Sequence, residues 1–206
     1  MWVDTTFPSH GPAPGIDHRL PPQLGKLERR GLEIRRHNDI GPLTKIVPTL
    51  KRYPEALVVT ADDDMFYPHD WLEELYDAYL REPGIIHAHR AHRMTFDSGR
   101  VRPYREWEWE APGFQGPSFD LFPTGVGGVL YAPGHLHREV MNERAYLQLS
   151  PKADDVWLKA MSLLNGVQCK KVNPFSRPIH EVAIPGTPRL GLHNYFEHGN
   201  DHQLKA

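Results

Sequence analysis

Apolar positions along the chain fall into short runs whose period alternates between two and three-to-four, with proline, glycine and charged residues between them. Ala56 to Thr60 is a brief β-branched apolar run with the length and composition of a buried strand. From Trp71 to about Glu82, Trp71, Leu72, Leu75, Tyr76 and Tyr79 recur at helical spacing. Pro83-Gly84 ends that pattern, and Asp70 with Glu73 reads as a capping box at its start. Upstream, Leu24 to Arg30 predicts a short helical turn and residues 31–35 alternate as a strand does. Asp39 then opens a helix that carries Pro42 in its first turn and Ile46, Val47 and Leu50 on its core face.

The alternation continues downstream. Ile85 to Met94 has period two, which puts Ile85, His87 and His89 on one face. Thr124 to Gly128 is glycine-rich and leads into an apolar strand reaching Tyr131. Ser150-Pro151 precedes a helix with Trp157, Leu158, Met161 and Leu164 as its buried positions and Asn165-Gly166 as its stop, and Val167 to Val172 follows as a strand. Strand, helix, strand, helix is the signature of an α/β domain.

Composition narrows the picture. The 206 residues fit one domain with a sizeable core, while 20 prolines and 17 glycines call for many loops. Residues 1–24 are proline-rich and aperiodic, so they read as loop. A formal charge of −2 offers no general attraction for nucleic acid or an anionic membrane. The single cysteine, Cys169, excludes an internal disulfide, and its alternating surroundings make it a core residue. No apolar run approaches the roughly 20 residues of a membrane span, and no signal peptide is evident. The default placement is cytoplasmic.

The chemistry concentrates where the first apolar run stops, at Asp62, Asp63 and Asp64. Three adjacent carboxylates repel one another, and a hard divalent cation with oxygen ligands relieves that repulsion. The carboxyl edge of an open α/β sheet is also where ligands bind. A second acidic pair, Asp154-Asp155, opens a helix, where carboxylates serve either as dipole caps, worth about 0.3–1 kcal/mol, or as chemistry. Histidines 87, 89 and 92 suggest zinc only weakly, since alternate strand residues lie about 6.5 Å apart and no matching Cys or carboxylate follows. They read as lining a polar cleft with Arg90. The aromatic stretch with Tyr104, Trp107, Trp109, Phe114, Phe119 and Phe122 is either a sheet covering or, with Glu108 and Glu110, a wall for a sugar acceptor.

The order of DIGPLTKIVPTLKRYP, TADDDMFYP, HRAHRM, FPTGVGGVLYAPG and ADDVWLKAM, spread over about Gly31 to Ala206, resembles bacterial glycosyltransferases of polysaccharide assembly within the GT-A class. That resemblance implies a GT-A-like single domain spanning 1–206, with a mixed, mainly parallel central sheet flanked by helices. It also implies a first βα unit of roughly 30 residues that is missing ahead of Met1. It implies Mn²⁺ or Mg²⁺ on Asp62 and Asp64, with His180 as a third ligand, and a nucleotide-sugar donor, UDP-linked in the first instance. Asp62 and Asp63, Lys45, Arg90 and the glycines Gly125, Gly127 and Gly128 would border that donor. Asp155 would be the base in an inverting transfer to a carbohydrate hydroxyl, with Asp154 beside it, and His92, His193 and Asn200-Asp201 are lesser candidates. The placement implied is cytoplasmic, with the inner face of the membrane as a variant and oligomeric state open. Two rivals remain: a sugar nucleotidyltransferase, which would need an N-terminal glycine- and arginine-rich phosphate loop, and a truncated relative that binds carbohydrate or a partner chain without turnover.

Overall fold

The computed structural model describes residues 22–35, 37, 40–62, 64–181 and 199–205. In chain order the helices are α1 (Pro22–Glu28), α2 (Val47–Arg52), α3 (Trp71–Arg81), α4 (Glu143–Leu149), α5 (Asp154–Leu164) and α6 (Gly199–Leu204). The strands are β1 (Val58–Thr60), β2 (Met65–Phe66), β3 (Ile86–Ala88), β4 (Ala91–Arg93), β5 (Phe96–Asp97), β6 (Arg100–Val101), β7 (Leu121–Pro123), β8 (Val129–Tyr131), β9 (Cys169–Lys171) and β10 (His180–Glu181). The class is mixed α/β, and its largest sheet has the order β1-β8-β3-β9.

That sheet is mixed, and two of its three ladders are antiparallel. β1 and β3 both run against β8, and only β3 with β9 is parallel. The expectation of a mainly parallel sheet thus gives way. β8 follows a tight glycine-rich turn and enters between β1 and β3 in the opposite sense, without the helical crossover a parallel neighbour would need. This reversal brings the end of β1 beside the start of β8, since Thr60 pairs with Val129. The end of β3 arrives at the same edge through Ala88 and Val129. Three chain segments therefore leave the sheet together.

The core is built where the periodicity predicted it, with local departures. Ile46 and Val47 are buried, but the helix begins as a 3-10 turn over Leu43–Lys45 and restarts at α2, because Pro48 has no N–H to continue the ladder. Residues 31–35 form no strand, and no neighbouring strand among the described residues offers them a ladder. Ile85 to Met94 is broken at His89-Arg90 into β3 and β4, with β4 pairing β7 as a separate ribbon. On α3 the core face is narrower than its apolar stripe: Leu75 is fully buried, whereas Leu72, Tyr76 and Leu80 are 52, 47 and 57 % exposed. The expected Asp70 cap bond is absent too, and Asp70 instead accepts from Arg177 at 3.1 Å. On α5, Trp157, Leu158 and Met161 are buried as expected, but Leu164 at the last turn faces solvent. Cys169 is a core residue.

Tyr104, Trp107 and Phe122 gather with Met94, Ala153 and Val156 into a second cluster beneath the start of α5. Trp107 and Trp109 do not share a face: Trp107 is buried and donates its indole N–H to the Arg102 carbonyl, while Trp109 stays partly exposed against His92 and Tyr104. No helix among the described residues is long and apolar enough to cross a membrane.

Candidate functional site

The edge where β1 and β3 end and β8 begins carries the acids. Asp62 leaves β1, Lys45 closes the short 3-10 turn before α2, and Asp154 and Asp155 form the first turn of α5. Lys45 joins them. Its Nζ lies 2.6 Å from Asp62 Oδ1 and 3.1 Å from Asp154 Oδ2. Asp155 Oδ1 accepts the Gly125 N–H at 2.8 Å, and a Cβ built on Gly125 would meet Asp155 Oδ1 at 3.1 Å and Lys45 Nζ at 3.6 Å. Residues separated by more than a hundred positions thus share one small polar space.

Its electrostatics follow from enclosure. Burial raises the Asp155 carboxyl well above the usual carboxylate range and the Asp154 carboxylate adds to the effect, while Lys45 and the Gly125 N–H oppose it. For Lys45, burial works against the ammonium, but the surrounding Asp154, Asp62 and Asp155 carboxylates outweigh it and hold its pKa well above the ordinary lysine range. The result is a fixed cation beside an acid that keeps its proton to unusually high pH. Such a displaced carboxyl is suited to proton transfer near neutrality.

The glycine-rich turn is pressed between two walls. A Cβ on Gly127 would sit 2.6 Å from the Arg90 Cβ, and one on Gly128, whose φ is +92°, would sit 2.3 Å from the Trp71 ring. Trp71 donates its indole N–H to the Gly127 carbonyl at 2.8 Å. Arg90 reaches outward to Glu110 at 3.1 Å and Thr124 at 3.4 Å. Tyr67, which sequence analysis passed over, is the other tie. Its hydroxyl accepts the Asp62 N–H at 2.9 Å and donates to the Val126 carbonyl at 3.2 Å, and burial pushes its pKa up to about 12. The only signal in the chain is a tyrosine a few residues past the acids, and nothing local says where its hydroxyl will reach.

The remaining candidates scatter. His180, exposed on β10, pairs with Phe66 of β2, and Asp64 sits one residue before that ribbon. Asp62, Asp64 and His180 do not come together as a donor set, and no group of three or more His, Cys, Asp or Glu side chains suited to a metal ion exists among the described residues. Asp63 and His193 lie outside the described residues.

The histidines of the broken strand are buried, and each is held by a backbone group. His87 meets the Glu82 carbonyl at 3.0 Å, His89 meets the Trp71 carbonyl at 2.8 Å, and His92 Nδ1 accepts the Glu110 N–H at 2.9 Å. Asp201 on α6 accepts the Tyr104 N–H at 2.6 Å, which sets that helix against the second cluster. No protein-family model matches the chain, and no curated protein matches it either.

Proposed function

We propose that the chain is a glycosyltransferase of GT-A type that moves a sugar from a nucleotide-sugar donor, UDP-linked in the first instance, to a carbohydrate hydroxyl, with inversion, in surface polysaccharide assembly. The observation that supports this most is the Lys45 bridge. It holds the acid that ends β1 and the acid pair that opens α5 in one space beside a glycine-rich turn. Those are the parts such a transfer needs on its two sides.

On the acceptor side, Asp155 takes the proton of the attacking hydroxyl while its other oxygen stays oriented by the Gly125 N–H. Asp154 remains paired with Lys45 and holds a neighbouring sugar hydroxyl. On the donor side, Gly125, Gly127 and Gly128 let the turn pack directly against Asp155, Arg90 and Trp71, which sets it beside the acids. Arg90, whose backbone and Cβ pack on Gly127, holds its guanidinium on Glu110 and Thr124 at the start of that turn. A divalent ion would supply positive charge to the departing diphosphate, as the resemblance implies. Because Asp62, Asp64 and His180 do not converge as donors, no step is assigned through one.

Incubation with a panel of UDP-sugars and sugar acceptors, read as UDP release, tests the reading. Asp155→Asn should lower kcat/KM by about 10²-fold or more while leaving UDP binding in place. Since the base must lose its proton and its carboxyl is held above the usual range, kcat/KM of the wild type should climb with pH toward neutrality and beyond. Calorimetry that detects no UDP binding, together with no UDP release on any donor, would sink the proposal. Binding without turnover would favour the non-catalytic relative.

A further inference from the structure

We propose that Lys45 is the resident cation of this acid cluster and fills the position a divalent ion would otherwise take between Asp62 and Asp154. The inference deepens the transferase reading by naming how the same site balances its charge, and it rests on the placement of three side chains. Lys45 Nζ is within ion-pair distance of one carboxylate from the end of β1 and another from the first turn of α5. Carboxylates converging on one point from separate elements are the donors a hard divalent cation uses. Here that point is an ammonium group, a compact charge with three donors that can bind both at once.

The surroundings leave the ammonium little alternative. The side chains of Lys45 and Asp62 are each 24 % exposed and that of Asp154 is 13 % exposed, so the pairing is mostly shielded from water. Asp155 adds a third acid facing the same ammonium, tied at one oxygen by Gly125 N–H. The Tyr67 hydroxyl is engaged by Asp62 N–H and the Val126 carbonyl, and Arg90 is turned to Glu110 and Thr124. Removing Lys45 would leave the Asp62 and Asp154 carboxylates with no countercharge between them. Their repulsion would be relieved by recruiting a divalent ion.

The test is a Mn²⁺ titration of the full chain at neutral pH, read by calorimetry. Lys45→Met should bind Mn²⁺ about 10-fold or more tightly than the wild type, as expected when acidic ligands gain on a removed cation. That gain should vanish when Asp154→Asn is added. In the wild type, Asp154→Asn alone should leave Mn²⁺ affinity unchanged. The inference is overturned if Lys45→Met binds no tighter than the wild type, or if Asp154→Asn weakens Mn²⁺ binding in the wild-type background. Should Lys45→Met fail to fold, Lys45→Gln takes its place, and the wild-type comparison with Asp154→Asn decides by itself. Because Mn²⁺ alone is the probe, absence of UDP binding would defeat the transferase reading and leave this comparison standing.

Discussion

His92 shows how much one buried side chain is asked to do. It is enclosed by Trp109 and Tyr104, and its Nδ1 accepts the Glu110 N–H, which fixes the proton on Nε2. Burial, with Arg90 and then Lys171 nearby, pushes its pKa from an ordinary 6.5 down to about 3. The unfolded chain therefore binds a proton that the folded chain refuses between those two values. Stability is whole above the unfolded pKa and is lost as pH falls from 6.5 toward 3. His92→Phe should cost about 1–3 kcal/mol at neutral pH by stranding the Glu110 N–H. Its denaturation midpoint should then decline less steeply than that of the wild type as the buffer is acidified. A pH series of urea melts on both proteins checks this, and parallel slopes would show that His92 does not carry the acid sensitivity.

At this scale the sequence was informative about residue type and silent about partners. Asp62, Asp154 and Asp155 stood out because acids at a strand end and a helix start are chemically conspicuous. Lys45 stood out only through a resemblance, and Tyr67 did not stand out, because a hydroxyl that ties Asp62 to Val126 acts across 59 positions.

At the level of elements, α3 separates pattern from burial. Its sequence carries an apolar stripe broad enough to suggest that Trp71, Leu72, Leu75, Tyr76 and Tyr79 all pack inward, yet the inward line is Leu75 and Ala78. Helical periodicity defines a face but not how much of that face a neighbour covers. Leu75→Ala should therefore cost about 2–5 kcal/mol. Leu72→Glu should stay within about 0.5 kcal/mol. Thermal melts of the two variants give the comparison, and a large loss in Leu72→Glu would mean that this face is covered after all.

The break between β3 and β4 belongs to the same scale. Continuous alternation through Ile85 to Met94 predicted one strand, but the glycine-rich turn inserts beside it. His89 N–H donates to the Gly128 carbonyl and Thr124 N–H to the Arg90 carbonyl. Those bonds redirect the backbone between the two halves. Every residue of β3 is buried, as are Ala91 and His92 of β4, so neither half has an exposed face whose pattern could mark the interruption.

Across the whole molecule, Lys171 at the end of β9 secures the segment that follows Trp109. It is completely buried, and its Nζ donates to the carbonyls of Glu110, Ala111 at 2.9 Å and Pro174 at 2.8 Å. Burial lowers its pKa, and the facing Glu110 and Glu108 carboxylates work against that shift. Lys171→Met would take the Lys171 donor from the Glu110 carbonyl, at a cost of about 1–3 kcal/mol for a stranded group, whereas the Ala111 and Pro174 carbonyls keep the Phe114 and Gly113 N–H groups. It should also loosen the Trp109–Glu110 segment, visible as faster amide exchange there than at α5. Unchanged exchange at residues 108–112 would show that the staple is dispensable.

What the amino-acid sequence determined by itself was the alternation of apolar runs, the stops at proline and glycine, the core identity of Cys169, Trp157 and Leu158, and the two acidic clusters as chemically unusual places. These depend on neighbours within one turn or one pleat, where spacing and residue type act directly. Only the tertiary structure decided that β8 runs against β1 and β3, that Lys45 stands between Asp62 and Asp154, and that the histidines are buried supports. Such outcomes depend on which distant segments share a sheet edge. An ammonium finds its carboxylates only after the backbone has already brought them within about 3 Å, so the pairing is a consequence of topology that no local pattern encodes.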